Sequence, residues 1–275
     1  AAYRLGTMCR WVDSWATDSM FAGVPNQGAE DAWWLTALTV EAWQANGTSF
    51  SGASADIAKC FDQIVRPLLY MVARVAGMPM RVLDPYIRFM EGLVVRNTIG
   101  SGIGSPYQRR CGIPQGCPLS MMFIALLLRP WTIAMDTMGA VPRILADDLM
   151  VLTHGIHHCL TMQRAVDFTH QLLQSMGATV APKKSYLFSS CARTRRWFVQ
   201  HKWRYLGQTI PVVKSFRDLG GTINTMGKQC SFVIDDRIKK ALATLRRLRH
   251  LPHTPQVKAL FIQVKVLAAA LYGIE

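Results

Sequence analysis

The chain reads as a mixed α+β protein built around antiparallel hairpins, and three observations predict that class. Apolar residues recur at helical spacing over 29–45, 64–76, 121–134, 156–176, 235–250 and 255–273. Between these stretches lie short β-type runs broken by glycine, at 94–111 and again within 186–223. Near the middle, the run 144–152 carries apolar β-formers up to Asp147-Asp148 and away from it. Asp is depleted in strands and favoured in turns, so this run predicts a tight hairpin with both acids at its tip. Two carboxylates forced together repel unless a cation sits between them, and such an oxygen-rich pair suits Mg²⁺. An Asp-Asp turn on a solvated surface is the plainer alternative at this point.

Composition bounds what the protein can do. Of the 275 residues, 50% are hydrophobic, enough for a large core, and the net charge is +14. The surplus is local: 17 Lys/Arg against 3 Asp/Glu fall between Lys183 and Lys258, and the remainder holds 14 of each sign. A basic segment of this kind reads as a polyanion-binding surface. The seven cysteines show no CxxC spacing, so neither a zinc site nor a disulfide framework is expected, and reduced thiols in an intracellular setting are. The longest apolar run, 121–128, is too short to cross a bilayer, so no membrane is expected as a partner. The start, Ala1-Ala2-Tyr3-Arg4, has neither an initiator Met nor a signal-peptide pattern and reads as a cut within a longer chain. No internal repeat or low-complexity linker is present.

Taken in order, 29–45 predicts a helix with acids in its first turn, ended by Asn46-Gly47, its tryptophans directed to the core. Ala55 and Ile57 alternate with Asp56 as in a strand, which puts Asp56 at a strand end, pointing opposite to them. A helix over 64–76 stops at Gly77. The stretch 94–111 predicts a glycine-broken hairpin. Gly112-Ile113-Pro114-Gln115-Gly116-Cys117-Pro118-Leu119-Ser120 then packs two glycines and two prolines into nine residues, an unusual loop leading into a helix. Pro118 suits the first turn of that helix, and Gln115 at its entrance is placed to touch a ligand. After the central hairpin come a helix over 156–176, short strands across 186–223, and two C-terminal helices broken at Pro252-His253-Thr254-Pro255, the first strongly basic.

This order of motifs resembles the reverse transcriptase domain, most closely that of non-LTR (LINE-type) retrotransposons and more distantly that of group II introns. Asp56-Ile57-Ala58-Lys59-Cys60-Phe61-Asp62 is similar to the family's first catalytic motif. The Gly112–Ser120 loop matches its template and nucleotide loop, Ala146-Asp147-Asp148 its catalytic hairpin, and Ala181-Pro182-Lys183-Lys184-Ser185 its lysine turn. Phe216 to Gly220 matches its primer-grip strand pair, and 271–275 resembles the end of its thumb segment.

The resemblance implies an α+β right-hand polymerase core. Partial fingers over 1–50, a palm over 51–230 with a fingers insertion near 78–112, and a helical thumb over 231–275 are expected. It implies RNA-directed DNA polymerisation with an RNA template, a DNA primer and dNTPs, inside a larger polyprotein with an endonuclease, in the nucleus if the element is eukaryotic. Such transfer needs positioning and charge neutralisation, which two Mg²⁺ ions supply, Mn²⁺ being the alternative. Asp56, Asp147 and Asp148 would be catalytic and, with the Ile57 carbonyl, hold metal. Phe61 would exclude a 2′-hydroxyl, and Gln115, Gly116 and Lys184 would complete the nucleotide site. Phe216, Leu219 and Gly220 would grip the primer; Lys239, Arg246 and Arg249 would bind duplex phosphates while Leu245 and Leu248 turn toward the palm. Asp62 is expected to pair structurally. The sequence departs from the family at Leu145, usually aromatic, and in the arginines usual before residue 31. An inactive nucleic-acid-binding relic of the fold and an RNA-dependent RNA polymerase remain as alternatives; Phe61 at the sugar gate speaks against the latter.

Overall fold

The computed structural model describes residues 6–181, 184–219, 221–226 and 232–271, with the side chains of 232–234 and 271 outside that description. Its centre is one antiparallel sheet. A short helix α1 (Cys9–Asp13) precedes α2 (Ala29–Ala45), whose N-terminus is closed by the Asp31 carboxylate accepting from the Gly28 N–H at 2.8 Å. Strand β1 (Phe50–Asp56) follows, then a single turn of helix, α3 (Cys60–Gln63), and α4 (Arg66–Val75) with Pro in its first turn. Helix α5 (Met80–Gly92) lies where no helix was expected, with Pro85 inside it. Val82, Leu83, Tyr86 and Met90 bury one face, and that packing outweighs the hydrogen bond lost at Pro85.

The glycine-rich stretch forms two nested ladders, β2 (Val94–Val95) with β5 (Tyr107–Gln108) and β3 (Thr98–Ile99) with β4 (Gly102–Ile103). Helix α6 (Ser120–Thr137) begins two residues after Pro118, which sits in the preceding turn. The central hairpin is β6 (Val141–Leu145) and β7 (Asp148–His154), followed by α7 (His158–Ser175) and β8 (Tyr186–Ser189). Residues 192–200 are helix, not strand: α8 (Ala192–Gln200) buries Thr194 and Phe198, one turn apart. A small hairpin of β9 (Ser215–Asp218) and β10 (Gly221–Asn224) leads to α9 (Phe232–Arg249), α10 (Pro255–Phe261), a π-helical turn (Ile262–Leu267) and α11 (Ala268–Leu271).

The main sheet runs β6-β7-β1-β8 and is covered on both faces. Residues 149–152 are therefore apolar without alternation, because each side chain meets a core whichever way it points. Leu149 and Val151, beside Ala55 and Ala53, join Leu187, Phe123 and Trp131 in the larger core under α4, α6 and α7. Met150 and Leu152 join Phe50, Phe188, Phe216 and Ile223 in a second core under α2 and the β9–β10 hairpin. β1 lies between two partners, and its small residues Ser51, Gly52 and Ala53 make room: a Cβ on Gly52 would lie 2.1 Å from the Phe188 ring. The sheet's outer strands carry short add-ons. Met20 bridges Ile144 of β6, with Phe21 N–H to the Ile144 carbonyl at 2.9 Å and Ile144 N–H to Ser19 at 2.8 Å. On the other side Val212 bridges Leu187 of β8.

Candidate active site

The carboxylates meet at one end of this sheet. The β6–β7 connection has two residues, Ala146 and Asp147, since Leu145 pairs with Asp148. Only Asp147 therefore lies in the turn; Asp148 is the first residue of β7, a correction to the hairpin expected with both acids at its tip. Ala146 adopts φ +57°, a left-handed value costly for any residue with a Cβ. The register then places Asp56, last residue of β1, directly opposite Asp148. The Ile57 N–H donates to the Asp147 carbonyl at 3.1 Å, so the Ile57 carbonyl, on the same side of the strand, also turns toward the hairpin. Like charges directly opposed on neighbouring strands destabilise a sheet, so this is an arrangement that folding alone would not select.

The electrostatics record the crowding. The Asp148 carboxyl is held above its ordinary range, first by desolvation and then by Asp147 and Asp56, with Lys184 pulling it down. Burial, then Asp147 and Asp56, push the Cys60 thiol up to about 12, which keeps it an inert packing group. Lys184 reaches back to Asp56, Nζ to Oδ1 at 3.2 Å. Its turn is tied to the same strand end, since the Ala181 N–H donates to the Asp56 carbonyl and the Lys184 N–H to that of Ala181. Pro182 and Lys183 of that motif lie outside the described residues.

A fourth carboxylate, which the sequence did not single out, stands behind this group. Asp218 of β9 is raised to about 6 by burial and then by Asp148, with Arg143 opposing. Arg143 is buried and donates to the Leu35 carbonyl and the Thr39 hydroxyl, each at 2.9 Å, which fixes it under α2. The available signal was the two-residue period of β9: Phe216 and Asp218 share one side, so a buried Phe216 implies an inward Asp218.

The Gly112–Ser120 loop is anchored beside the first motif. Gly112, at φ +82°, lies so close that a Cβ would come 2.8 Å from the Phe61 carbonyl oxygen, and the Ile113 N–H donates to that oxygen at 2.7 Å. Buried Arg66, also missed in the sequence, holds the loop with Nε to the Gly112 carbonyl at 2.8 Å and NH1 to that of Met90 at 3.0 Å. Phe61 is half-buried against the larger core, while Gln115 and Gly116 are exposed at the turn of the loop. Asp62 pairs with Arg109 at 2.6 Å, a structural contact.

The primer-grip and thumb expectations change more. Phe216 is buried and stacks on Phe188 with centroids 4.4 Å apart, so it docks the β9–β10 hairpin on the sheet and does not face a ligand. Leu219 turns the hairpin at φ +45°, and Gly220 lies outside the described residues. Next to it Gly221 lets the hairpin close on α2, where a Cβ would lie 2.0 Å from Trp33 Nε1. Lys239, Arg246 and Arg249 are exposed, Leu245 is half-buried and Leu248 buried. The cations that line a hollow of about 860 Å³ are instead Arg217, Arg237, Lys240 and Lys265, between the β9–β10 hairpin and the C-terminal helices. Lys240 also pairs with Asp236 at 2.6 Å.

Among the described residues, no three His, Cys, Asp or Glu side chains are closed into a metal cage. The donor set nevertheless fits a hard divalent cation: carboxylates crowded until Asp148 resists ionisation, with a lysine ammonium already drawn onto Asp56.

Residues 11–210 match the family model described as reverse transcriptase (RNA-dependent DNA polymerase). No curated protein matches the chain. Among solved structures it is similar to apo telomerase from Candida tropicalis, with a TM-score of 0.57 at 13% identity, covering 98% of this chain and 44% of that one. A form of that telomerase truncated from its C-terminal domain gives 0.55 at 14% identity, covering 82% and 44%. Telomerase from Candida albicans, solved with a fragment of telomeric RNA, gives 0.54 at 12% identity, covering 98% and 45%. The likeness shows the right-hand polymerase fold, and the chain spans less than half the length of each of these structures.

Proposed function

The chain belongs to the reverse transcriptase family, and from that premise we propose that it is the polymerase core of an RNA-directed DNA polymerase, transferring a nucleotidyl group from a dNTP to a primer 3′-hydroxyl. The observation that carries the reading is the register that sets Asp56 against Asp148 with Asp147 beside them in the turn. Folding gains nothing from that juxtaposition, and nucleotidyl transfer requires it.

In the transfer, the primer 3′-oxygen bonds to the α-phosphorus and the bond to the pyrophosphate oxygen breaks. Asp56, Asp147, Asp148 and the Ile57 carbonyl would hold two Mg²⁺, which supply charge neutralisation when bound. The chain's own residues do the rest. Lys184, drawn onto Asp56 at 3.2 Å, would meet negative charge on the leaving pyrophosphate. Phe61, fixed by the core beneath and the Gly112-Ile113 backbone beside it, narrows the space at the sugar and favours dNTP over NTP. Gln115 and Gly116 present an exposed backbone turn to the nucleotide or template. The finer assignment, to a non-LTR retrotransposon polyprotein that also carries an endonuclease and works in the nucleus, rests on the order and spacing of the motifs from Asp56 to Gly220.

Primer extension on an RNA template with dNTPs and Mg²⁺ tests this, using both this chain and a longer parent. Templated DNA product is expected, with Phe61→Ala raising NTP incorporation relative to dNTP. Absence of product from both chains overturns the proposal.

A further inference from the structure

The basic surplus is not concentrated in the C-terminal helices. Between residues 190 and 214 stand Arg193, Arg195, Arg196, Lys202, Arg204 and Lys214, and no Asp or Glu. These residues gather on and around α8, against the outer strand β8. Arg195 is committed to the fold, donating to the Ser189 and Ser190 carbonyls at 2.6 and 2.8 Å. Arg196 and Lys214 take no ion pair among the described residues. With Arg195, Ala192, Val199 and Gln200 they line an open hollow of about 470 Å³.

The place of this hollow matters. β8 runs antiparallel to β1, with Ser189 opposite Ser51, and the Ser190 N–H donates to the Phe50 carbonyl. The start of α8 is therefore anchored at the Phe50 end of β1, about 20 Å along the strand from Asp56 at a rise of roughly 3.3 Å per residue. The six cations of this segment repel each other at a cost to the folded state, offset in part where the Asp167 carboxylate accepts from the Arg204 N–H at 3.3 Å. Packing accounts for Arg195 and, through its stack on Tyr205, for Arg204, but not for Arg196 or Lys214.

We infer that the α8 face is a second nucleic-acid site, binding the sugar–phosphate backbone of RNA that extends beyond the stretch held at the catalytic carboxylates. The hollow offers guanidinium and ammonium groups around Gln200, suited to phosphate oxygens. The inference rests on the polymerase reading only in naming RNA as the polyanion, and it is measured by binding without synthesis.

The test compares two probes on the intact chain by fluorescence anisotropy over a salt series: a short RNA–DNA hybrid without overhangs, and the same hybrid with long single-stranded RNA overhangs. Arg196→Glu with Lys214→Glu is expected to weaken the overhang probe about tenfold. It should also make that probe's salt slope shallower by roughly 1.4, near 0.7 for each single-strand phosphate left without its cation. The short hybrid should bind as before. Arg74→Glu with Arg81→Glu, an equal charge change on exposed α4 and α5 positions, should leave both probes alone. Equal weakening of both probes, equal weakening by the control pair, or selective loss of binding to phosphatidylserine vesicles instead of RNA would each overturn the inference. Failure of the unaltered chain to bind either probe would count against the polymerase reading itself.

Discussion

The sheet and the C-terminal helices solve the burial problem in opposite ways. β1 and β7 are enclosed on both faces, and at their end Asp56 and Asp147 crowd Asp148, with Asp218 of β9 behind it. From residue 232 onward the described chain buries only Leu248 and Val266, and leaves Leu242, Leu260, Phe261 and Val264 exposed. The difference teaches where rigidity is needed. Opposed acids persist only if the surrounding structure fixes them, and the double-sided core does that. The helices that carry Arg237, Lys240 and Lys265 need only present charge, and few buried contacts let them open at low free-energy cost.

That comparison can be broken most sharply at its chemical end. Asp147→Ala, or Asp56→Ala, should lower primer extension on the order of a thousandfold, the scale for losing one preorganised electrostatic group. The same changes relieve repulsion, so the melting temperature should hold or rise; a lower one would mean that the acids support the fold.

Next in size is the contrast of cores. Phe123→Ala, fully buried beneath the sheet, should cost about 3–5 kcal/mol in urea unfolding. Val264→Ala, 66% exposed in the π-helical turn, should stay within about 0.5 kcal/mol. Comparable costs would show that the C-terminal helices fold as one body with the central sheet.

The two faces of α9 separate the next case. Positions 237, 240, 241 and 244 line the hollow beside Arg217, whereas 239, 246 and 249 fall on another side of the helix. Arg237→Ala with Lys265→Ala should weaken hybrid binding several-fold and make the salt slope shallower by about 2, near one for each duplex phosphate left without its cation. Lys239→Ala with Arg246→Ala should do less. The reverse order would restore the stripe expected from sequence.

The smallest effect is a pH dependence. Burial holds His158 and His170 below their ordinary value of 6.5, so the unfolded chain takes up protons first as pH falls. Their contribution is complete above about 6.5 and is lost as pH drops below it. Asp218, raised to about 6, acts oppositely: the folded state holds its proton more tightly, so stability rises as pH falls through 6. Melting curves of His158→Gln with His170→Gln against wild type isolate the histidines, and the variant should decline less between pH 6.5 and 5.

Much of this was legible in the residue order. Asp56 and Asp147 could be placed because strand ends and two-residue turns leave local signatures, Asp148 falling one residue past the turn, and the helix expected over 64–76 lies within two residues of α4. What escaped was decided by tertiary contacts. α8 looked like strand because Thr194, Trp197, Phe198 and Val199 favour strands, and the helix forms because Thr194 and Phe198 must reach the same core. α5 was hidden by Pro85. Arg66 looked like an ordinary helix-start cation, and nothing local shows that it holds the loop at Gly112 from 46 residues away. Phe216 resembled a ligand-facing residue until Phe188 claimed its ring.

The short bridges at Met20 and Val212 have one more consequence. A four-stranded sheet normally ends in two rows of unpaired amides and carbonyls, a template onto which another chain's strand can grow. Here a single residue from elsewhere in the chain lies against each outer strand, Met20 beside Ile144 and Val212 beside Leu187, and its two neighbours, Ser19 and Phe21 or Pro211 and Val213, take up the backbone hydrogen bonds of that strand residue. A foreign strand would have to evict that residue before pairing. On one side the evicted segment would be the one bonded to Ile144, two residues from the turn at Ala146, so the same pair of hydrogen bonds that covers the sheet edge also braces the hairpin carrying Asp147 and Asp148.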